Sequence, residues 1–250
     1  MVEMDTLKVY IRFFTLFVMG LFFRVTSVCN AQEVLGTSGL MNIPTADMYK
    51  PGTFKGGVSF VQRKLHSDVY DYNTGIYYID FTPFPFVELT FRETLLKVSK
   101  GGRNEGKKGF YQQDRSTSLR LRPVKEKNNR WWPGVVIGVN DIYSDHGGSR
   151  YTSVYGVATK HFDVCRFGRL GLTCGYAAPF DDGVAYDGIF GGMAYSPDFF
   201  KDMSVVIEYD TRGTNIGISA KLFRCLNVMC FTREFEGVNA GLSYMYTIKY

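Results

Sequence analysis

The chain of 250 residues carries 29 basic and 24 acidic side chains, a formal net charge of +5 that is spread along the sequence. A nucleic-acid-binding protein shows a basic stripe, so this even distribution argues against nucleic acid as a partner. The 17 Tyr, 21 Phe and 27 Gly favour a β-barrel, because aromatic residues form the interfacial girdles of barrels and glycine relieves crowding where strands bend.

The N-terminus has the pattern of a secretory signal peptide. Lys8 and Arg12 precede an apolar run, 13–23, and the small residue Ala31 precedes Gln32. A basic start, a short apolar stretch and a small residue at the cleavage position define such signals, so we predict cleavage after Ala31. A membrane-spanning helix needs about 20 apolar residues, and this run is too short.

We predict three parts, with a signal peptide at 1–31, a periplasmic or plug segment at 32–53 and an outer-membrane β-barrel at 54–250. The middle segment is too polar for a membrane strand. We expect it either to fold into the barrel as a plug or to cap the periplasmic mouth. Lipidation of Cys29 is a less favoured alternative, since Val28 occupies a position where lipoprotein signals carry a small residue.

Short segments with period-two alternation follow, and none of them has the pattern of an amphipathic helix. The predicted fold is an all-β, transmembrane, antiparallel β-barrel of about 12 strands. The strands are expected near 54–62, 73–82, 86–97, 115–124, 133–142, 150–161, 168–177, 185–196, 202–210, 214–223, 228–234 and 238–250. An even count returns the chain to the side on which it began, as bacterial barrels require.

The loop lengths support this topology. If the first strand leaves the periplasm, the outward loops are 63–72, 98–114, 143–149 and 178–184, which are the long, polar or glycine-rich ones. Most of the other connections are short and turn-like, and long outer loops with short periplasmic turns are typical of membrane barrels. The exceptions are 125–132, which is long for a periplasmic turn, and the tight outward turn at 211–213.

Charged and polar residues alternate with apolar ones in most strands. A charge on the lipid face near the bilayer midplane costs roughly 2–4 kcal/mol, so these side chains are expected to face the lumen. The lumen-lining candidates are Lys55, Asp80, Glu88, Arg92, Arg120, Arg122, Asn140, Lys160, Glu208, Asp210 and Lys221. Asp141 has the parity of the lipid face, which a β-bulge or a position above the hydrocarbon edge would resolve.

The last predicted strand places its large side chains on one face, namely Leu242, Tyr244, Tyr246, Ile248 and Tyr250. An apolar outer face that ends on an aromatic residue is how a membrane barrel closes. A soluble sandwich shows the same alternation, but the signal peptide and the number of strands favour the barrel.

Four cysteines follow the signal peptide, Cys165, Cys174, Cys225 and Cys230. Export to an oxidising compartment permits disulfides, and Cys225 with Cys230 is the best candidate pair, while free thiols are an equal alternative. No His lies at metal-ligand spacing from these cysteines, so neither a metal nor another cofactor is expected.

No catalytic residue is assigned, and we expect a non-enzymatic protein. His146 lies in an outward loop with Asp145 and Ser149, but such a glycine-rich loop is ordinary turn chemistry, and no nucleophile elbow is present. An outer-membrane lipid hydrolase is therefore the least favoured alternative.

Five segments, taken in order, resemble the YjbH-like family of Gram-negative outer-membrane proteins associated with exopolysaccharide production. They are Gly39-Leu-Met-Asn-Ile-Pro-Thr-Ala-Asp-Met48, Asp114-Arg-Ser-Thr-Ser-Leu-Arg-Leu-Arg-Pro123, Gly134-Val-Val-Ile-Gly-Val-Asn-Asp-Ile142, Tyr151-Thr-Ser-Val-Tyr-Gly-Val-Ala-Thr-Lys160 and Glu208-Tyr-Asp-Thr-Arg-Gly-Thr-Asn-Ile-Gly217. Together these segments span most of the chain that follows the predicted signal peptide.

The resemblance implies a part in assembling or exporting an exopolysaccharide or capsule, at the outer membrane of a Gram-negative bacterium. The expected partners are outer-membrane lipids, the barrel-assembly machinery, a polysaccharide and periplasmic polysaccharide-export proteins. A small-solute porin and a purely structural barrel remain alternatives, since a hydrated passage and a lumen of paired charges have the same sequence pattern.

Overall fold

The structure is a computed structural model and describes residues 33–66, 72–99, 108–127, 131–144, 151–164, 167–180 and 187–248. The predicted signal peptide at 1–31, Cys165, His146 and Tyr250 lie outside the described residues.

Twelve antiparallel strands form a closed barrel in which each strand pairs with its neighbour in sequence and the first pairs with the last. The strands are β1 Thr53–Val61, β2 Thr74–Phe84, β3 Val87–Ser99, β4 Lys108–Val124, β5 Gly134–Ser144, β6 Ser153–Val164, β7 Gly168–Pro179, β8 Gly188–Pro197, β9 Met203–Tyr209, β10 Thr214–Leu222, β11 Leu226–Arg233 and β12 Asn239–Thr247. The predicted all-β, antiparallel twelve-strand barrel is confirmed.

Helical structure in the described residues is limited to one turn of α-helix, α1 (Arg63–His66), and a 3₁₀ turn at Asp198–Phe200. No helix in this part of the chain has the length and apolar character needed to cross a membrane.

The period-two pattern separates two faces on the strands. In β1, Phe60 is 46% exposed on the outside, whereas its neighbour Ser59 is 3% exposed toward the interior. The outward side chains along the barrel are mostly large and apolar, as in Phe54, Val58, Ile79, Leu89, Phe91, Ile137, Leu172, Ile189, Met193, Val205, Ile207, Ile218, Leu242, Tyr244, Tyr246 and Ile248. Such an outer surface matches the apolar band that membrane barrels present to lipid.

The connections differ between the two ends of the barrel. We call the end where β1 begins and β12 ends the proximal end, and the opposite end the distal end. The proximal turns at 85–86 and 223–225 are short, whereas the distal connection at 62–73 is long. Because β4 begins at Lys108, the predicted loop at 98–114 is too long, and its second half belongs to the strand.

A β-bulge explains the parity of Asp141. Leu119 pairs with Val139 but Thr117 pairs with Tyr143, so β5 carries extra residues opposite one position of β4. Asp141 has a φ of 53° and is 3% exposed. The bulge turns its carboxylate into the lumen, where it accepts hydrogen bonds of 2.6 and 2.5 Å from Arg92 Nη2.

The described cysteines, Cys174, Cys225 and Cys230, are free thiols. The candidate pair Cys225 and Cys230 is therefore not bonded. Cys225 lies in the turn between β10 and β11, whereas Cys230 lies several residues along β11 on the exposed face. At about 3.3 Å per residue, the strand carries the two thiols apart.

We predict that Asp141→Ala lowers the free energy of unfolding by about 3–5 kcal/mol, because it leaves the Arg92 guanidinium buried without its carboxylate. The measurement is urea unfolding in detergent micelles. The control is Arg115→Ala, which breaks the 3.3 Å pair of Arg115 with Glu93 at the surface and should cost less than about 1 kcal/mol. Equal losses in the two variants would contradict the prediction.

Candidate functional site: the plugged lumen

Residues 33–50 lie inside the barrel, and we call this segment the plug. It folds as an irregular hairpin in which the amide of Leu40 donates to the carbonyl of Ile43 (2.9 Å) and the amide of Thr45 donates to the carbonyl of Ser38 (3.2 Å). Residues 38 and 45 thus mark facing positions on its two arms, and residues 41 and 42 form its tip. Nearly every plug residue is buried.

Apolar contacts between plug and wall form the core of the molecule. The plug contributes Val34, Leu35, Leu40, Met41 and Ile43, which cluster with Tyr78, Tyr155, Phe190, Val206, Met229 and Phe231 of the wall. Glycine residues of the wall leave space for the aromatic rings of neighbouring strands. A Cβ on Gly138 would lie 2.2 Å from the Tyr155 ring, so a larger residue there would push the ring into the plug.

A buried ion pair joins the two arms of the plug to the wall near the proximal end. Arg120 Nη1 donates to both oxygens of Glu88, at 2.9 and 3.0 Å. Glu88 also accepts from the amide and the hydroxyl of Ser38, at 2.7 and 2.8 Å. Arg120 Nη2 donates to the carbonyl of Thr45. One ion pair of the wall therefore holds both arms, and we call it the arm clamp.

A second cluster holds the tip of the plug near the distal end. Glu208 accepts from the amide of Met41 (2.9 Å), the amide of Asn42 (2.6 Å) and Asn215 Nδ2 (2.9 Å). All three of these partners are donors, so the geometry suits an ionised carboxylate with both oxygens occupied. Asp210 extends the cluster, and we call the pair Glu208 and Asp210 the tip clamp.

Asp210 connects the tip clamp to the neighbouring strands. Its Oδ2 accepts from Asn42 Nδ2 at 2.5 Å and Asn215 Nδ2 at 2.9 Å. Arg233 Nη2 donates to the same oxygen, which compensates one buried negative charge beside Glu208.

Lys55 sits beneath the base of the plug in an aromatic environment. Its Nζ lies 4.6 Å from the centre of the Tyr49 ring and 5.7 Å from that of Tyr78. Such cation–π contacts stabilise a desolvated ammonium by up to about 2 kcal/mol. Lys55 pairs in register with Asp80, whose Oδ2 accepts from Thr90 at 2.7 Å.

Among the described residues, the plug occupies the lumen and leaves little space beside it. The cavity found beside the plug has a volume of about 30 Å³, which is room for about two water molecules. The described residues contain no group of three or more His, Cys, Asp or Glu side chains arranged to hold a metal ion.

The comparisons with known proteins identify the family. Residues 31–244 match the sequence model of the family described as exopolysaccharide biosynthesis protein YbjH. The chain belongs to this YjbH family. No curated protein matches the chain.

Among solved structures, this YjbH-family chain is similar to an outer membrane channel from Pseudomonas putida F1. The two share 12% identity over 83% of this chain and 100% of that chain, with a TM-score of 0.45. A likeness of this degree carries no argument about function.

Most of the predicted lumen-lining residues of this YjbH-family barrel face the interior. Eight of them are buried there, namely Lys55, Asp80, Glu88, Arg92, Arg120, Asn140, Glu208 and Asp210. Arg122 and Lys221 share the inward parity but are only half-buried, at the proximal end. Arg122 donates to the carbonyl of Pro85 at 2.5 Å. That these side chains line a path for a solute remains a prediction.

The structure corrects the prediction that Lys160 lines the lumen. It pairs in register with Leu172, which is exposed on the outer face, whereas its neighbour Thr159 pairs with the buried Thr173. Lys160 therefore belongs to the outer face near the proximal rim. Its Nζ donates to Glu126 Oε1 at 2.8 Å in the turn between β4 and β5.

Glu126 is held by several donors at this rim. Burial raises its pKa, but the hydrogen bonds from Lys160 and from the backbone and ring of His161 outweigh that effect and leave the pKa below its usual value. The carboxylate accepts from the His161 amide at 2.8 Å and contacts His161 Nδ1 at 2.6 Å.

Sequence reasoning missed two partners of the predicted charges, Asp141 and Arg233. Asp141 has the parity of the lipid face, and of the two explanations considered for it the structure confirms the β-bulge, but the sequence did not identify it as the partner of Arg92. Arg233 ends β11, a strand in which Asn227, Met229, Phe231 and Arg233 share the inner face. The sequence did contain a signal for this, because Arg233 lies an even number of residues from the polar Asn227 and therefore falls on the same face of the strand.

We predict that Glu208→Gln loosens the tip of the plug. The new amide nitrogen faces donors only, so at least one charge-assisted hydrogen bond is lost, at a cost of about 1.5–3 kcal/mol. Planar-bilayer recordings should show open events at least about tenfold more frequent than in the unaltered chain.

The matched control is Asp198→Asn, which removes a carboxylate exposed at the proximal end and should leave the conductance unchanged. An unaltered opening frequency in Glu208→Gln, with an intact barrel shown by heat-modifiable migration, contradicts a role for the tip clamp.

Proposed function

We propose that this protein is an outer-membrane barrel of a Gram-negative bacterium that takes part in the assembly or export of an exopolysaccharide, and that it acts by displacement of its plug without a catalytic step. The observation that carries the proposal is the filling of the lumen. A separate segment of chain fills the barrel, and its polar contacts with the wall are hydrogen bonds rather than covalent links.

The inner wall supports a path for a hydroxyl-rich polymer once the plug has moved. Its buried side chains include many hydroxyl and amide groups, among them Ser59, Thr90, Ser116, Ser118, Thr159, Thr173, Ser204, Asn215, Ser219, Asn227 and Ser243. Small barrels fill their interior with side chains alone. Here twelve strands enclose a wider interior, and much of its inner surface is covered by the plug.

The orientation follows from the connections. Short turns face the periplasm in outer-membrane barrels, so the proximal end is assigned to the periplasm. The plug therefore enters the barrel from the side on which a polymer and periplasmic export proteins would arrive. Its arms lie at the arm clamp near this entrance, and its tip lies near the distal turn at 210–213.

We predict that locking the plug abolishes transport. The amide of Ala46 donates to Thr159 Oγ1 at 2.8 Å, so Ala46→Cys with Thr159→Cys, in a chain whose native cysteines are replaced by Ser, places two thiols at the contact. Oxidation should suppress both the rare conductance of the refolded chain and polymer secretion by cells that carry it. A reducing agent should restore both.

The single-cysteine variants are the controls, because they lose the same side chains without forming a bond. Full polymer secretion by cells whose barrel is quantitatively cross-linked would rule out plug displacement. Polymer secretion unaffected by deletion of the protein, together with steady passage of small ions, would indicate a small-solute porin instead.

A further inference from the structure

A polar cleft lies toward the proximal end, between the C-terminal arm of the plug and the inner faces of β6 to β9. The volume of this cleft is about 30 Å³. Its polar lining consists of Thr45 and Asp47 from the plug and Thr159, His161, Arg169, Thr173, Ser196 and Ser204 from the wall. We call it the Arg169 cleft.

Small residues keep the cleft open. Gly171 and Ala194 occupy the inner face beside it. The ring of His161 lies across Gly171, where a Cβ would come within 3.2 Å of Nε2. A side chain at position 171 would press on the His161 ring, so glycine leaves room for the ring at this point.

Most polar groups of the cleft already have partners. Thr159 and Thr173 share a hydrogen bond of 3.0 Å, and Ser196 and Ser204 share one of 2.6 Å. His161 lies between two carboxylates, with Nδ1 2.6 Å from Glu126 Oε2 and Nε2 3.5 Å from Asp47 Oδ2.

Arg169 differs from the other polar groups. Its Nε is buried and has no hydrogen-bond partner among the described residues. Within the same described ranges, its guanidinium forms no ion pair with a carboxylate. Arg169 as a whole is half-buried, and an anion that enters the cleft would supply the counter-charge that its guanidinium lacks there.

We propose that the Arg169 cleft binds the carboxylate of an acidic sugar, such as a uronic acid residue of the polymer. A guanidinium recognises a carboxylate through two parallel hydrogen bonds. The serine and threonine hydroxyls and the carboxylate of Asp47 are groups that hydrogen-bond sugar hydroxyls. The volume admits one carboxylate but no sugar ring, so the ring stays at the mouth of the cleft.

This inference rests on the proposed function, which brings a polymer to the proximal end. It adds that the polymer contains acidic sugars, and it places the first contact between polymer and protein where the plug meets the wall. A ligand held there touches Asp47 of the plug and Arg169 of the wall together.

The test is isothermal titration calorimetry of the folded chain in detergent micelles with glucuronate, glucose, acetate and inorganic phosphate. Glucuronate should bind, and glucose should bind at least about tenfold more weakly, because it lacks the charged group. Arg169→Gln should weaken glucuronate binding about tenfold to a hundredfold, and Arg169→Lys should be intermediate, since it keeps the charge but loses the planar fork.

The matched control is Arg224→Gln, which removes an exposed charge from the proximal turn at 223–225 and should leave binding unchanged. Equal losses in the Gln variants of Arg169 and Arg224, equal binding of glucose and glucuronate, or tighter binding of phosphate than of glucuronate would each overturn the assignment. Heat-modifiable migration shows whether each variant still forms the barrel.

The two proposals fail separately. Absence of glucuronate binding, in a protein whose cross-linked plug blocks polymer secretion, removes the acidic-sugar site and keeps the proposed function. Glucuronate binding that depends on Arg169, in a protein whose cross-linked plug leaves secretion intact, removes plug displacement and keeps the site.

Discussion

The arm clamp is the interaction on which the rest of the interior depends. Neither Glu88 nor Arg120 has access to water, and both are at or near zero exposure. Removing one partner of such a pair leaves an uncompensated buried charge, at a cost of about 3–5 kcal/mol. Because Glu88 also accepts from Ser38 and Arg120 donates to Thr45, the pair keeps these hydrogen bonds only when both arms of the plug are present.

The plug is recognised largely through its backbone. The wall carboxylate of Glu208 accepts from the amides of Met41 and Asn42, and that of Glu88 from the amide of Ser38. Contacts of this kind specify the path of the chain more than the identity of its side chains. The apolar side chains of the plug add packing against aromatic residues of the wall, which makes the closed state compact.

Displacement of the plug, as proposed, would require less energy than breaking the same contacts in a dry core. When the plug moves, water enters and hydrogen-bonds the released carboxylates and amides, so the cost falls toward the modest net value of each hydrogen bond. The Arg169 cleft lies where the plug and wall already separate. A ligand in this cleft therefore acts at the edge from which the plug would begin to move.

Much of the barrel was predictable from the sequence because alternation is a local property. Phe60 and Ser59 take opposite faces of β1 whatever strand lies beside them, and a residue such as Glu88 follows from the cost of a charge in lipid. The number of strands and most of the lumen-facing residues were predicted from the same alternation of apolar and polar side chains. Lys160 was misplaced because the alternation in this segment is weak in the sequence, whereas the unbroken register of β6 with β7 puts Thr159 inside and Lys160 outside.

What the sequence determined by itself was the twelve-strand barrel with an apolar outside and a charged inside. Only the tertiary structure decided which charges meet, because partners such as Arg92 and Asp141 are far apart in sequence and the pairing depends on strand stagger and a bulge. It also decided that residues 33–50 fill the lumen. The physical reason is that a local pattern sets the face of a residue, whereas a buried charge is satisfied by whatever the closed barrel brings opposite it.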